Sequence, residues 1–260
     1  MKKEFLRIFA YIYRNYIFAV RNIFTFFDLL FWPTIGIISI GMMSTFLNLD
    51  KSLLSFLLTG TITSGVLQVT QLEVSYGLLY EIWSKSIKQI FITPTKHYHY
   101  ILGSWIVGTI RGMIVFILLS IISYYLFGFY LPKVNYVIVS LLGIFLTGLV
   151  LGMFVNLFVL LYGQRVDIIA WSVSVLTMLI CGIYYPVSIL PKWLIKIAEF
   201  IPLTYFLEYF RKGYGFEESF KYGLLKGFIL CIVYFFILFY LINLSHHHTK
   251  KTGSIIRLSE

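Results

Sequence analysis

Charge is scarce in this chain: Asp, Glu, Lys and Arg make up 12% of its 260 residues, against 59% that are hydrophobic, with a mean hydropathy of +0.87. So little polar surface cannot cover a water-soluble globule, which leaves lipid as the solvent. Cysteine is nearly absent; Cys181 and Cys231 both fall in apolar runs and read as core thiols rather than a disulfide framework. No GxxxxGK[ST] phosphate loop occurs, so the chain has no recognisable cradle for a nucleotide. Ser, His and acidic residues do not gather at a spacing suited to nucleophilic catalysis, and His97 and His99 bracket an aromatic residue instead of forming an i, i+4 metal pair. No catalytic, cofactor-binding or metal site is therefore expected. Period-2 alternation is missing over any useful length, which argues against a transmembrane barrel. Arg7, Arg14 and Arg21 interrupt the first apolar stretch, so no signal-peptide core and no processing are expected.

What is present is a set of apolar runs near the ~20 helical residues that cross a hydrocarbon core. They cover 26–47, 53–72, 101–127, 134–161, 168–185 and 222–244. The predicted fold class is an all-α integral membrane protein of six transmembrane helices. The fourth and fifth runs are separated by Tyr162 to Asp167, where Arg165 and Asp167 favour a tight turn over one very long helix. With a cytoplasmic N-terminus, Lys2, Lys3, Arg7, Arg14, Arg21, Lys85, Lys88, Lys96, Arg165, Lys250, Lys251 and Arg257 fall inside. The outside set is smaller: Lys51, Lys133, Lys192, Lys196, Arg211, Lys212, Lys221 and Lys226. The bias supports that orientation, with both termini cytoplasmic. A formal charge of +10 is accounted for by a basic rim facing anionic lipid, without nucleic acid.

Two stretches are amphipathic rather than spanning. Within residues 1–24, Lys3, Arg7, Arg14 and Arg21 make a basic stripe, with Phe5, Phe9, Ile12, Tyr16 and Ile17 on other faces, as suits a helix lying in the interface. It serves as an anchor or passes motion to the first span. EIWSKSIKQIFITP, residues 81–94, sets Trp83, Ile87, Ile90 and Phe91 against Lys85, Lys88 and Gln89 before Thr93 and Pro94 stop it. Lying on the cytoplasmic side, it is either a solvated connector or a bar that a soluble partner can grip. A third segment, YYPVSILPKWLIKIAEFIPLTYFLEYFR from Tyr184 to Arg211, is a proline-broken, aromatic-rich hairpin, neither a loop nor a span. Residues 246–260, starting with His246, His247 and His248, read as a solvated tail.

Some polar residues fall within the spans. Arg111, about ten residues into the third, costs roughly 3 kcal/mol there unless paired or wet. Glu73 lies near the cytoplasmic end of the preceding antiparallel span, so Arg111 either pairs with Glu73 or snorkels to headgroups. Asp28, Trp32 and Pro33 read as interfacial and structural features of the first span. Gly108 with Gly112, and Gly148 with Gly152, match GxxxG and indicate close helix packing. Gln68, Gln71, Asn156 and Gln164 line a pathway or are satisfied by a neighbouring helix.

Taken in order, the N-terminal interfacial helix leading to FFDLLFWP at 26–33, LLYEIWSKSIKQIFITPTKHYHYILG at 78–103, LYGQRVDIIAWS at 161–172 and the hairpin resemble the ABC-2 type permeases over nearly the whole length. The resemblance implies a membrane subunit of an ABC exporter that is not itself an enzyme. ATP and Mg would sit on a separate ATP-binding subunit, and a second permease copy would complete a homodimer or heterodimer. It implies that 81–94 is a coupling helix, with Glu81, Trp83, Lys85, Lys88, Thr93 and Pro94 as contacts to the ATPase; many members start this segment with more acidic residues than the lone Glu81 here. It implies that 186–212 forms two short external re-entrant helices before the last span, with Pro186, Leu190, Pro191, Trp193, Pro202, Leu203, Tyr205 and Glu208 at matching positions. Amphipathic or hydrophobic cargo, whether drug, peptide, lipid or lipid-linked glycan, is compatible with the aromatic spans. The competing classes are a secondary transporter, a membrane-embedded enzyme and a non-transport partner protein. The first calls for an inverted repeat and the second for a converging acid, base or metal cluster, and the sequence shows neither.

Overall fold

The structure, a computed structural model, describes residues 2–21, 23–86, 93 and 95–252. Among them every regular element is helical: α1 (Lys2–Arg21), α2 (Ile23–Phe46), α3 (Lys51–Trp83), α4 (His97–Phe127), α5 (Val134–Tyr162), α6 (Asp167–Ile180), α7 (Lys192–Ala198), α8 (Pro202–Lys212) and α9 (Gly223–Thr252), with 3-10 turns at Gly163–Val166 and Val187–Ile189. Four of these, α3, α4, α5 and α9, are long and apolar enough to cross a membrane. The described apolar stretch of α2, Leu30–Phe46, and α6 are shorter.

Helix ends follow local chemistry. Gly128 closes α4 in the left-handed conformation (φ +67°), with its N–H on the Tyr124 carbonyl. Gly163 (φ +75°) and a 3-10 turn separate α5 from α6, so the turn predicted at 162–167 is found. The run 168–185 yields only the fourteen residues of α6, because Gly182 at φ +70° turns the chain back; a side chain there would press on the Tyr185 carbonyl and Val187.

α3 is the central helix, packed by α2, α4, α5, α6 and α8. Its close neighbours approach through the glycines singled out above. Gly108 and Gly112 of α4, and Gly148 of α5, meet Thr70, while Gly152 meets Val74. Side chains larger than hydrogen would force these helices off α3, which is why the small residues sit there. Around Leu58, Ile62, Val66, Leu119, Ile144 and Phe206 one apolar cluster fills the half of the bundle near α8. A second, around Val74, Leu78, Tyr100, Leu149, Met153 and Ile242, fills the half near α1.

Two expectations need correction. Helix α3 runs past 72 to Trp83, so Glu81 and Trp83 form the last turn of a long helix rather than the start of a separate one. The polar residues around and beyond 72, Gln71, Glu73 and Ser75, are buried and bonded within the bundle. The tail is also not all solvated, since α9 continues as helix through His246–His248 to Thr252, and His246 is buried with its ring 6.0 Å from that of His97.

Candidate functional site

At one end of the bundle, α1 is fastened to the last turn of α3 and the first turns of α4. Arg14 pairs with Glu81 and reaches the Gly77 carbonyl at 3.3 Å. The adjacent Asn15 accepts from Arg14 at 2.7 Å and donates to Ser104 at 2.9 Å. Glu4 accepts from the Tyr98 hydroxyl at 2.6 Å and meets His99 Nε2 at 2.6 Å. These bonds to Tyr98 and His99 pull the Glu4 carboxyl down to about 2. The basic stripe of α1 is thus not uniformly solvated, for Arg14 turns inward.

This end carries the expected coupling residues. Trp83 is 43% exposed and packs, tilted or edge-on, against the rings of Tyr76 and Tyr80. Glu81 is buried and accepts from Ser86 as well as Arg14. Lys85 takes a left-handed backbone (φ +57°) that ends α3, a conformation uncommon for a long side chain. Thr93 bonds Thr95 at 2.9 Å. Lys88 and Pro94 lie outside the described residues, as do the side chains of Asp28, Gln164 and His248.

Midway along the bundle, Arg111 of α4 pairs with the buried Glu73 of α3. Of the other polar candidates, Gln71 donates to Ser75 at 2.8 Å and to the Ala170 carbonyl at 3.2 Å, and accepts from Ser174. Asn156 donates to the Val74 carbonyl at 3.0 Å. Gln68 differs, because it lines a cavity of about 300 Å³ between α2, α3 and α6, walled by Trp32, Ser64, Met178, Tyr184 and Tyr185. None of the lining side chains carries a charge at pH 7.

The opposite end is the hairpin. Pro186 precedes the 3-10 turn, Leu190 and Pro191 lead into α7, and Pro202 is the first residue of α8, where its missing N–H costs no helical bond. Trp193 is exposed, whereas Leu203 and Tyr205 are buried, the Tyr205 hydroxyl donating to the Glu199 carbonyl at 2.8 Å. Glu208 accepts from the Ser219 N–H at 3.2 Å, and burial pushes its carboxyl up.

The sequence puts Arg211 among the cations on the outer side of the membrane and gives it no structural role, which the structure supplies. The side chain is 3% exposed, donates to the Gly182 carbonyl at 2.7 Å and to the Ile183 carbonyl, and lies 3.6 Å from the Phe56 ring centroid. Burial pulls its pKa down to about 9. The available signal was the amphipathic pattern of α8, which puts Arg211 on the face of Leu203, Leu207 and Phe210.

Residues 4–214 match the family described as ABC-2 type transporter. Over 51 residues the chain is also 37% identical to an uncharacterized protein of Archaeoglobus fulgidus, a stretch that makes up 20% of this chain and 80% of that protein. The family match takes in α1 through α8, from the fastened first helix to the hairpin, in an all-helical membrane protein. The chain therefore belongs to the ABC-2 type transporter family, as a membrane component of transport.

Proposed function

We propose that this chain is the permease subunit of an ATP-driven exporter. Its six apolar segments cross the cell membrane, α2 and α6 included, with both termini cytoplasmic. Two copies, or one copy and a similar permease, form the pathway. ATP and Mg are held by a separate ABC ATP-binding subunit, the partner with which this family generally works.

One observation carries the reading: the α3–α4 connection leaves from and returns to the place where α1, α3 and α4 are bonded together by Arg14–Glu81, Glu4–His99 and Asn15–Ser104. A force applied to that connection by a cytosolic motor is thereby delivered to three helices at once. Trp83, exposed at the edge of the connection, and Lys88 beyond it are the contact residues. The uncharged cavity, bounded by α2 and α6 with their exposed Trp32, Val175 and Leu179, faces the second copy. Its aromatic and amide walls suit an amphipathic or hydrophobic cargo.

Co-purification tests this directly. The chain should bring down an ATP-binding subunit, and the ATPase activity of that complex should fall when Trp83→Ala and Lys88→Ala are combined. A complex that keeps its full activity with both changes overturns the placement of the coupling contact. Purified chain that transports cargo alone in vesicles overturns the reading as a whole.

A further inference from the structure

We infer that Arg211 is a positioning residue for transport: by clasping the two carbonyls that follow α6, it holds the hairpin-end wall of the cavity in place. The inference rests on the proposed reading of the cavity as part of the pathway.

The turn after α6 cannot hold itself. The helix closes at Ile180 with the Cys181 N–H on the Thr177 carbonyl at 2.9 Å, and Gly182 then reverses the chain. The Gly182 and Ile183 carbonyls lie beyond the helix and look for donors elsewhere. Both receive one from Arg211, whose planar fork suits a pair of neighbouring oxygens. From the other side α3 closes the arrangement at Gly60. A Cβ there would overlap the Ile183 carbonyl and stand 2.9 Å from Arg211 Nη2.

No carboxylate oxygen among the described residues reaches ion-pairing distance of the guanidinium, although the Glu208 carboxylate lies near enough to favour its charge. Glu208, one turn earlier on α8, is bonded to the Ser219 N–H, and Arg211 Nε has no hydrogen-bond partner. A guanidinium paired with a carboxylate stays satisfied whatever the turn does. The N–H groups of this one are satisfied only while the turn is in place, so moving the turn leaves buried donors of a cation unpaired. Tyr184 and Tyr185 follow immediately and line the cavity, with the Tyr185 hydroxyl bonded to the Leu179 carbonyl. Letting go of Gly182 and Ile183 therefore frees two of the aromatic walls.

Accessibility of the cavity from the hairpin side is the test. The chain is expressed with its ATP-binding subunit in cells, carrying Gln68→Cys and labelled with a membrane-impermeant maleimide. The same variants with Gln68 kept give the baseline contributed by the native Cys181 and Cys231, both buried. Arg211→Met should raise the initial labelling rate about tenfold, a shift in the population of the open form. Arg211→Lys, which keeps the charge but loses the fork, should also raise it. A second cysteine at the exposed Phe200 should label equally in all variants and reports the amount of folded chain at the surface. If Arg211→Met fails to reach the membrane, Gly60→Ala takes its place, since it presses on the Ile183 carbonyl and crowds the clasp while the guanidinium stays in the chain. Labelling of Gln68→Cys that is unchanged in these variants overturns the inference. Because labelling needs neither ATP nor cargo, a chain that labels as expected but binds no ATP-binding subunit sinks the exporter reading and spares the clasp.

Discussion

At the α1 end, side chain meets side chain, Arg14 on Glu81 and His99 on Glu4, whereas at the hairpin end the buried Arg211 guanidinium has, among the described residues, backbone carbonyls as its hydrogen-bond acceptors and a phenyl ring beside it. The first arrangement ties helix to helix through partners that travel together, so it transmits displacement as a unit. The second ties a helix to a turn, so it yields when the turn moves. In the proposed exporter, stiffness would serve the end gripped by the ATP-binding subunit, and release would serve the end that opens. The Glu73–Arg111 pair, midway, belongs with the first kind.

The comparison breaks or sharpens by substitution. Glu73→Gln should have the largest effect, about 3–5 kcal/mol of lost stability, because it breaks the ion pair that the buried Glu73 carboxylate makes with Arg111. Thermal unfolding in detergent should show the loss, and adding Arg111→Gln should recover a large part of it. A double variant as unstable as the summed singles would remove the pair from the account. Next comes Gly182→Ala, expected to cost about 1–3 kcal/mol for the left-handed backbone and the crowded Tyr185 carbonyl. The same unfolding assay checks it, and an unchanged melting point would mean that the turn is already loose. Arg14→Ala should cost less, on the order of 1 kcal/mol for a half-buried pair. Hydrogen exchange should rise in α1 with no change at α8. Equal changes at both ends would erase the distinction between them.

The smallest effect is one of pH. The folded pKa of Glu4, about 2, lies below its usual 4.5, so its bonds to Tyr98 and His99 contribute fully above about pH 4.5 and are lost as pH falls toward 2. Pepsin cleavage within α1 should increase over that window. In Glu4→Gln it should already be high at pH 4.5.

Legibility in the sequence followed the physics of each element. Apolar runs announced the long helices, and the GxxxG pairs announced close packing, since both depend on local composition. The Glu73–Arg111 juxtaposition was readable because antiparallel helices joined by a connection of known length bring residues at matched depth together. The extent of α3 was not, because Gln71, Glu73, Ser75 and Glu81 look like an exit from lipid until their tertiary partners are known. The run 168–185 stays apolar on both sides of Gly182, so hydropathy could not separate α6 from the turn that follows. Arg211 was hidden for a similar reason, since its partners are backbone carbonyls and carbonyls leave no mark on a sequence. His246 looked solvated in its polar setting, yet it is covered by α4 and α9 packing around His97 and Phe239.

The 33 residues of α3 form one unbroken helix, roughly 50 Å long at the usual rise. Trp83 stands at one tip, and near the other, Phe56 and Gly60 flank the Arg211 guanidinium. Such a rod works as a lever: a tilt of a few degrees imposed at the tryptophan shifts the far tip by ångströms, the scale on which a hydrogen bond to a carbonyl is made or broken.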